Sequence, residues 1–264
     1  SDTGGSIRQP AALCGITGLK PTGGRISRYG LVSFAPSMDQ IGPFTRDAAD
    51  AALLLEVLAG EDAYDDTTAK APQPGGLAST EQSLEGLRIG IPEEHLSGDN
   101  EPAVNAAVAT AAETFRSLGC TVETVQLETT DLGIACYYVL GPAEASSNLA
   151  RFDGVAYGQR VDGDGSLQSM FAATRDAGFG AEVKRRILIG TYALSAGYQD
   201  AWYGRATRAR TLLRRDYEEA FESCDLIAAP TSPTVAFPLG ERADAPVSMY
   251  LADILTVSAS LAGL

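Results

Sequence analysis

Histidine occurs once, at His95, and lysine three times, at Lys20, Lys70 and Lys184. Cysteine is sparse and scattered: Cys14, Cys120, Cys136 and Cys224 form no CxxC pair. One imidazole and four separated thiols lack the ligand spacing of a zinc site, so no metal is expected. The thiols read as reduced, small core residues, which fits a cytoplasmic protein. No apolar run approaches the roughly 18 to 20 residues that cross a bilayer, and the opening residues do not read as a signal peptide, so no membrane partner is expected. Positive charge is also short. With 34 acids against 20 bases the net charge is −14, which argues against a broad phosphate-binding surface, because a negative field repels nucleic acid at long range. An acid excess with so little lysine is the balance of chains that fold in concentrated salt, where self-repulsion is screened.

What is present is a chain of 264 residues, 45% hydrophobic, long enough to bury a sizeable core. It has no initiating methionine, and motifs run up to both ends, so it reads as part of a longer protein. Residues 1–43 are rich in glycine and turns and predict loops and short strands. A helix is expected over 46–59, capped by Thr45 and ended by Gly60. Residues 61–86 lack periodicity and read as an exposed connection. Leu87, Ile89 and Ile91 alternate as a strand, Pro102 opens a helix ended by Gly119, and 121–127 predicts a second strand, together a parallel βαβ unit. Helices follow at 132–149, 180–196 and 200–222, then a strand from Asp225 to Ala229 and a last helix after Ser248. The fold class is α/β.

The sharpest chemical feature is the opening Ser1-Asp-Thr-Gly-Gly-Ser-Ile-Arg8. Two glycines before a serine free the backbone and let a substrate approach it. Consecutive N–H groups can then face one concavity, as an oxyanion hole requires, with the serine placed to attack a carbonyl. Taken alone, the same residues fit a glycine turn before a helix. The continuation to Arg25, through Gly-Ile-Thr-Gly-Leu-Lys-Pro-Thr-Gly-Gly, and the stretch from Ser37 to Pro43 closely resemble the amidase signature family. Glu144 to Gly154, Glu182 to Ile187 and Met249 to Asp253 are similar to its branch of A subunits of glutamyl/aspartyl-tRNA amidotransferases.

That resemblance implies the amidase-signature fold, a mixed central sheet with helices on both faces, of which residues 1–264 form a partial domain truncated at both ends. It implies glutamine hydrolysis through a Ser–cis-Ser–Lys triad with Ser6 as nucleophile, and an oxyanion hole from Thr3, Gly4, Gly5 and Ser6. Ammonia then passes to a B subunit, with a small C subunit in the complex, for amidation of Glu or Asp on a misacylated tRNA. No cofactor is implied for this polypeptide; ATP and Mg belong to the partner. The family's lysine and bridging serine lie upstream of the nucleophile, and Lys20 is not their replacement. A serine without its base is a weak nucleophile, so the chain by itself is expected to be inactive.

For the substrate the resemblance points to Tyr137, with a register ambiguity against Tyr138, to Arg186 on the glutamine carboxylate, and to Asp253 on its ammonium. Asp253 is the one charge from Ser248 to Leu264; a first-turn acid favoured by the helix dipole is the plainer reading. Arg186 falls at the edge of an apolar helix face, and a solvated run Lys184-Arg185-Arg186 is its alternative. Tyr137 also fits a half-buried helix aromatic. Arg8 reads as a buttress of the serine loop, Asp39 and Gln40 as structural, and His95 as a polar-loop residue. Arg205, Arg208 and Arg215 read as a solvated helix face. A stand-alone amidase and a non-catalytic module are the competing functions.

Overall fold

The parallel unit expected between Leu87 and Leu127 forms the centre of the sheet. The computed structural model describes residues 1–72, 74–76, 82–96, 98–242 and 246–264. Strand β3 (Arg88–Pro92) lies between β4 (Thr121–Val125) and β5 (Leu226–Ile227), parallel to both; β1 (Thr17–Gly18) and β2 (Phe44–Thr45) form a separate antiparallel pair. Arg88 faces Thr121 and Pro92 faces Val125, while Ile89 faces Leu226. The crossover carries helix α3 (Pro102–Ser117), with proline in its first turn, where a missing N–H costs nothing. Gly90 is glycine for a packing reason: a Cβ there would fall 2.8 Å from Val125 Cγ1 and 2.9 Å from Cys224 Sγ. Val125, Leu127, Tyr217, Ala220 and Cys224 form a buried cluster, backed by Ile227, Ala259 and Ala262.

The chain divides into two units. The first holds residues 1–31, 38–134 and 209–264, and the second residues 32–37 and 135–208. Helix α4 (Leu132–Asn148) supplies most of its length to the second unit, along with α5 (Leu167–Gly178), α6 (Ala181–Leu194) and the start of α7 (Tyr203–Ser223). Within that unit α6 meets α4 at a bare backbone: a Cβ on Gly190 would lie 1.9 Å from the Pro142 carbonyl oxygen, so any side chain there forces the helices apart. Arg205, Arg208 and Arg215 are exposed, as a solvated face requires.

Several boundaries differ from expectation. Helix α2 (Ala48–Leu58) is capped by Asp47, whose carboxylate accepts from the Asp50 N–H, while Thr45 lies in β2 opposite Thr17. Two helices were not expected: α1 (Arg8–Cys14) and α5, the latter capped by Ser166, which accepts from the Ser169 N–H. The last helical stretch is two helices, α8 (Pro246–Leu251) and α9 (Ile254–Ala262), divided at Ala252-Asp253. The connection 61–86 is largely exposed, but Asp62 and Asp65 bind it down, accepting from the Ser27 hydroxyl at 2.6 Å and the Arg28 N–H at 2.8 Å. Residues 73 and 77–81 of that connection lie outside the described residues. Three cysteines are buried as expected, whereas Cys14 is exposed. No helix among the described residues is long and apolar enough to cross a membrane.

His95 is the clearest correction. It is 2% exposed rather than a polar-loop residue, within a short 3₁₀ turn after β3. Its Nε2 pairs with Thr130 Oγ1 at 2.9 Å, and its Nδ1 has no partner among the described residues. Burial pushes its pKa below the usual imidazole value, against a small opposing pull from Glu94. Below that usual value the unfolded chain takes up a proton that the folded chain refuses, so stability is lost as pH falls through about 6.5. Equilibrium unfolding between pH 7.5 and 5 is expected to show this loss in the parent and a flatter profile in His95→Gln, the one histidine making the window its own.

Candidate active site

The Gly-Gly-Ser turn is held from outside itself. Asp2 forms a two-way backbone bridge with Gln40, its N–H donating to Gln40 at 2.7 Å and the Gln40 N–H returning at 2.8 Å. The Thr3 hydroxyl donates to Asp39 Oδ1 at 2.7 Å. Asp39 and Gln40 are both buried, so their role is structural, as the sequence implies. The Asp2 side chain is 0% exposed, and its Oδ2 accepts from the Ile7 and Arg8 N–H groups at 3.1 and 3.3 Å. It thereby satisfies the open N-terminus of α1, a task that Ile7 at the N-cap position has no side chain to perform.

Arg8 completes the clamp. Its Nε and Nη2 donate to the two Asp2 oxygens at 3.1 and 2.9 Å, its Nη1 to the Thr256 carbonyl at 3.0 Å, and its Nη2 also to Ser260 Oγ at 2.8 Å. Burial alone would raise the Asp2 pKa, but the hydrogen bond and charge of Arg8, with the two backbone N–H groups, outweigh it and hold the carboxyl below its usual value. The arginine expected to buttress the loop does so, and its anchor is Asp2, a residue that no spacing in the sequence marks out.

Between these anchors Gly4 and Gly5 are buried while Ser6 is exposed. Among the described residues the N–H groups of Thr3, Gly4, Gly5 and Ser6 have no hydrogen-bond partner, and no side chain bonds to Ser6 Oγ. The carbonyl of Gly5 accepts from the Gln9 N–H at 2.8 Å, and that of Gly4 from the Thr256 hydroxyl at 2.6 Å. Carbonyls are thus engaged while four consecutive N–H groups, Thr3 to Ser6, are not, beside an accessible hydroxyl. No hydrogen bond joins Lys20 to Ser6 among the described residues: its ammonium donates to the carbonyls of Pro21 and Leu264, and burial, then the charge of Arg8, pushes its pKa down to about 8.

The structure brings Asp253 next to this turn through its own neighbours. Asp253 sits at the N-cap of α9 rather than inside a helix. Its carbonyl accepts from the Thr256 and Val257 N–H groups at 3.0 and 3.1 Å, and the adjoining Ala252 carbonyl accepts from Gln9 Nε2 at 2.7 Å. Asp253 therefore stands at the N-terminus of α9 rather than along an apolar helix face, and its side chain makes no capping hydrogen bond there.

In the second unit the three consecutive bases of α6 part ways. Lys184 pairs with Asp176 and Arg185 with Glu182, both toward solvent. Arg186 turns inward: its guanidinium lies 5.3 Å from the Phe34 ring and 5.7 Å from the Tyr138 ring, with Nε on Glu182 at 2.8 Å. Burial opposes its charge, but Glu182 and the two tyrosines outweigh that and raise its pKa above the usual arginine value. A uniformly solvated basic run is excluded. Tyr137 is 5% exposed and meets Tyr138 edge-on at 5.1 Å, and both tyrosines act on the Arg186 charge. Among the described residues no group of three or more His, Cys, Asp or Glu side chains is arranged to hold a metal ion.

Comparison with known proteins bears on the whole chain. A family model described as Amidase matches residues 1–264. The chain is 54% identical over 264 residues to the A subunit of the glutamyl-tRNA(Gln) amidotransferase of Anaeromyxobacter dehalogenans, and 55% identical to that of Roseiflexus sp. strain RS-1, covering 100% of this chain and 54% of each relative. The chain thus spans about half the length of the curated relatives it matches. The crystal structure of the corresponding A subunit of the Thermotoga maritima glutamyl-tRNA(Gln) amidotransferase superposes with a TM-score of 0.79 at 42% identity, over 100% of this chain and 52% of that one.

Proposed function

The chain belongs to the amidase family, and from that membership we propose that it is the glutamine-hydrolysing part of a tRNA-dependent amidotransferase A subunit, working in the cytoplasm. The observation that carries the chemistry is the turn itself: an accessible Ser6 hydroxyl next to four uncommitted N–H groups, locked by Asp2, Arg8 and Thr256. Ser6 Oγ attacks the side-chain amide carbon of glutamine, and the oxygen gathers negative charge facing the Thr3, Gly4, Gly5 and Ser6 N–H groups. Such donors are preorganised for the transition state, which is where they accelerate the reaction. The C–N bond breaks, the hydroxyl proton leaves with nitrogen as ammonia, and water hydrolyses the remaining ester to glutamate. The base that takes the serine proton in this family is a lysine relayed by a second serine, both upstream of Ser6 in the family order. ATP and Mg act in the B subunit, where ammonia amidates an activated Glu or Asp on tRNA; a small C subunit completes the assembly.

Recognition of glutamine falls to Arg186 for the α-carboxylate, where a planar guanidinium makes two parallel hydrogen bonds, and to Asp253 for the α-ammonium, with Tyr137 supporting. The seating of Arg186 over Phe34 and Tyr138 supports this, since stacked rings hold the fork in one plane. The test compares glutamine with an uncharged amide such as butyramide in the upstream-extended protein. Arg186→Lys is expected to raise the KM for glutamine at least about tenfold through loss of the bidentate contact, with butyramide turnover unchanged. Butyramide hydrolysed as readily as glutamine, with both insensitive to Arg186→Lys, would favour a stand-alone amidase instead.

A further inference from the structure

Thr256 carries no motif and stands out in no sequence pattern, yet it is 2% exposed and sits against the nucleophile turn. Its Oγ1 donates to the Gly4 carbonyl at 2.6 Å and lies 3.1 Å from the Asp253 carbonyl. Its backbone carbonyl accepts from Arg8 Nη1. The approach is so close that a Cβ on Gly5 would lie 2.3 Å from Thr256 Oγ1. One residue therefore joins three things, its hydroxyl meeting the Gly4-Gly5 peptide and the segment bearing Asp253, and its backbone carbonyl meeting the Asp2–Arg8 clamp.

A planar trans peptide places its C=O and N–H on opposite sides, so whatever fixes one fixes the other. Two adjacent glycines leave that peptide free to rotate as a unit unless something holds it. Asp2 secures the far side of the turn through the Ile7 and Arg8 N–H groups, but it does not touch the Gly4-Gly5 peptide. We infer that Thr256 is the positioning residue for this peptide: by holding the Gly4 carbonyl it aims the Gly5 N–H at the oxygen of the bound amide, and ties that aim to the Asp253 segment. The inference deepens the proposed glutamine hydrolysis and rests on it.

Thr256→Ala and Thr256→Ser differ by the hydroxyl alone, so their comparison isolates the latch from packing. Both are made in the full-length protein with its partner subunits. Two rates are read: ammonia release from saturating glutamine, and labelling of Ser6 by a fluorophosphonate, which needs the same hydroxyl and N–H groups but no glutamine. The alanine variant is expected to be slower in both by about 10- to 100-fold, the cost of a misaimed donor, while KM changes little. The serine variant is expected to stay within about threefold of the parent. Equal rates in the two variants, whether both parent-like or both slow, overturn the inference. Should the alanine variant not fold, a slow serine variant with the parent's melting temperature overturns it, and a parent-like one supports it. A parent that labels no better than Ser6→Ala sinks the underlying reading instead.

Discussion

Ser6→Ala, made in the upstream-extended protein, is expected to reduce ammonia release from glutamine by about 10⁴- to 10⁶-fold, to the level of the blank, the loss seen when a catalytic serine is removed. The alanine keeps the turn intact, because Ser6 contributes no side-chain hydrogen bond among the described residues. Its melting temperature should match the parent's within error, so the loss is chemical. What remains are the N–H donors, which can polarise a carbonyl but supply no atom to form the ester. The 264-residue chain, assayed beside these two, is expected to be inactive even with Ser6 present, because no described residue takes the serine's proton. Activity in the short chain would mean that a residue within it supplies the base, and the triad implied by the family would not apply.

Gly5→Ala is expected to be damaging as well, by a different route. The added methyl would fall 2.3 Å from Thr256 Oγ1 and 3.0 Å from Thr256 Cβ, at a residue whose φ of +153° already suits glycine. Thr256 is in no position to yield, since its hydroxyl is engaged by Gly4 and its N–H by the Asp253 carbonyl. The turn must move instead, and a displacement of about 1 Å costs on the order of 100-fold in rate. Overpacking of a filled site should also cost about 1–3 kcal/mol of stability, read as a lowered melting temperature. The pair Gly5→Ala with Thr256→Ala relieves part of the clash, so the double variant should be more stable than the sum of the single losses predicts. Strict additivity would show that the two residues do not press on each other.

Both predictions lie near the limit of what spacing in the sequence encodes. Period and punctuation sufficed for β3, α3 and β4, because Pro102 and Gly119 bracket a helix whose Val104, Val108 and Phe115 are all partly buried. Helices α4, α6 and α7 were legible for the same reason. Helix α1 was not, since its cap is Asp2, several residues before it, and a cap supplied from a distance leaves no local mark. Helix α5 was marked: Ser166 before Leu167, Met170, Phe171 and Thr174 is a cap followed by helical spacing, and only Met170 and Thr174 are buried. The burial of His95 goes with a contact to Thr130, 35 residues away, that no spacing encodes. In the site, the nucleophile turn was legible from its glycines and from the resemblance; Asp2 was not, because its partners Ile7 and Arg8 follow at a spacing that matches no helix or strand period, and Thr256 was not, because its partners Gly4 and Arg8 lie 252 and 248 residues away. Three consecutive bases could not be sorted by sign, and only the rings beneath Arg186 separate it from its neighbours.

The latch between Thr256 and Gly4 spans 252 residues of chain, and that distance sets an order of events during synthesis. At roughly 5–20 residues per second, Thr256 leaves the ribosome about 10 to 50 seconds after Gly4. Throughout that interval the turn has its serine but lacks both the Thr256 hydroxyl and the Ser260 oxygen that receives Arg8. Closing so long a loop costs on the order of 5 kcal/mol of chain entropy, which only the docked α9 can return. In a nascent chain the turn is therefore made long before its latch, and the proposed alignment of its donors arrives with α9 rather than with Ser6 itself.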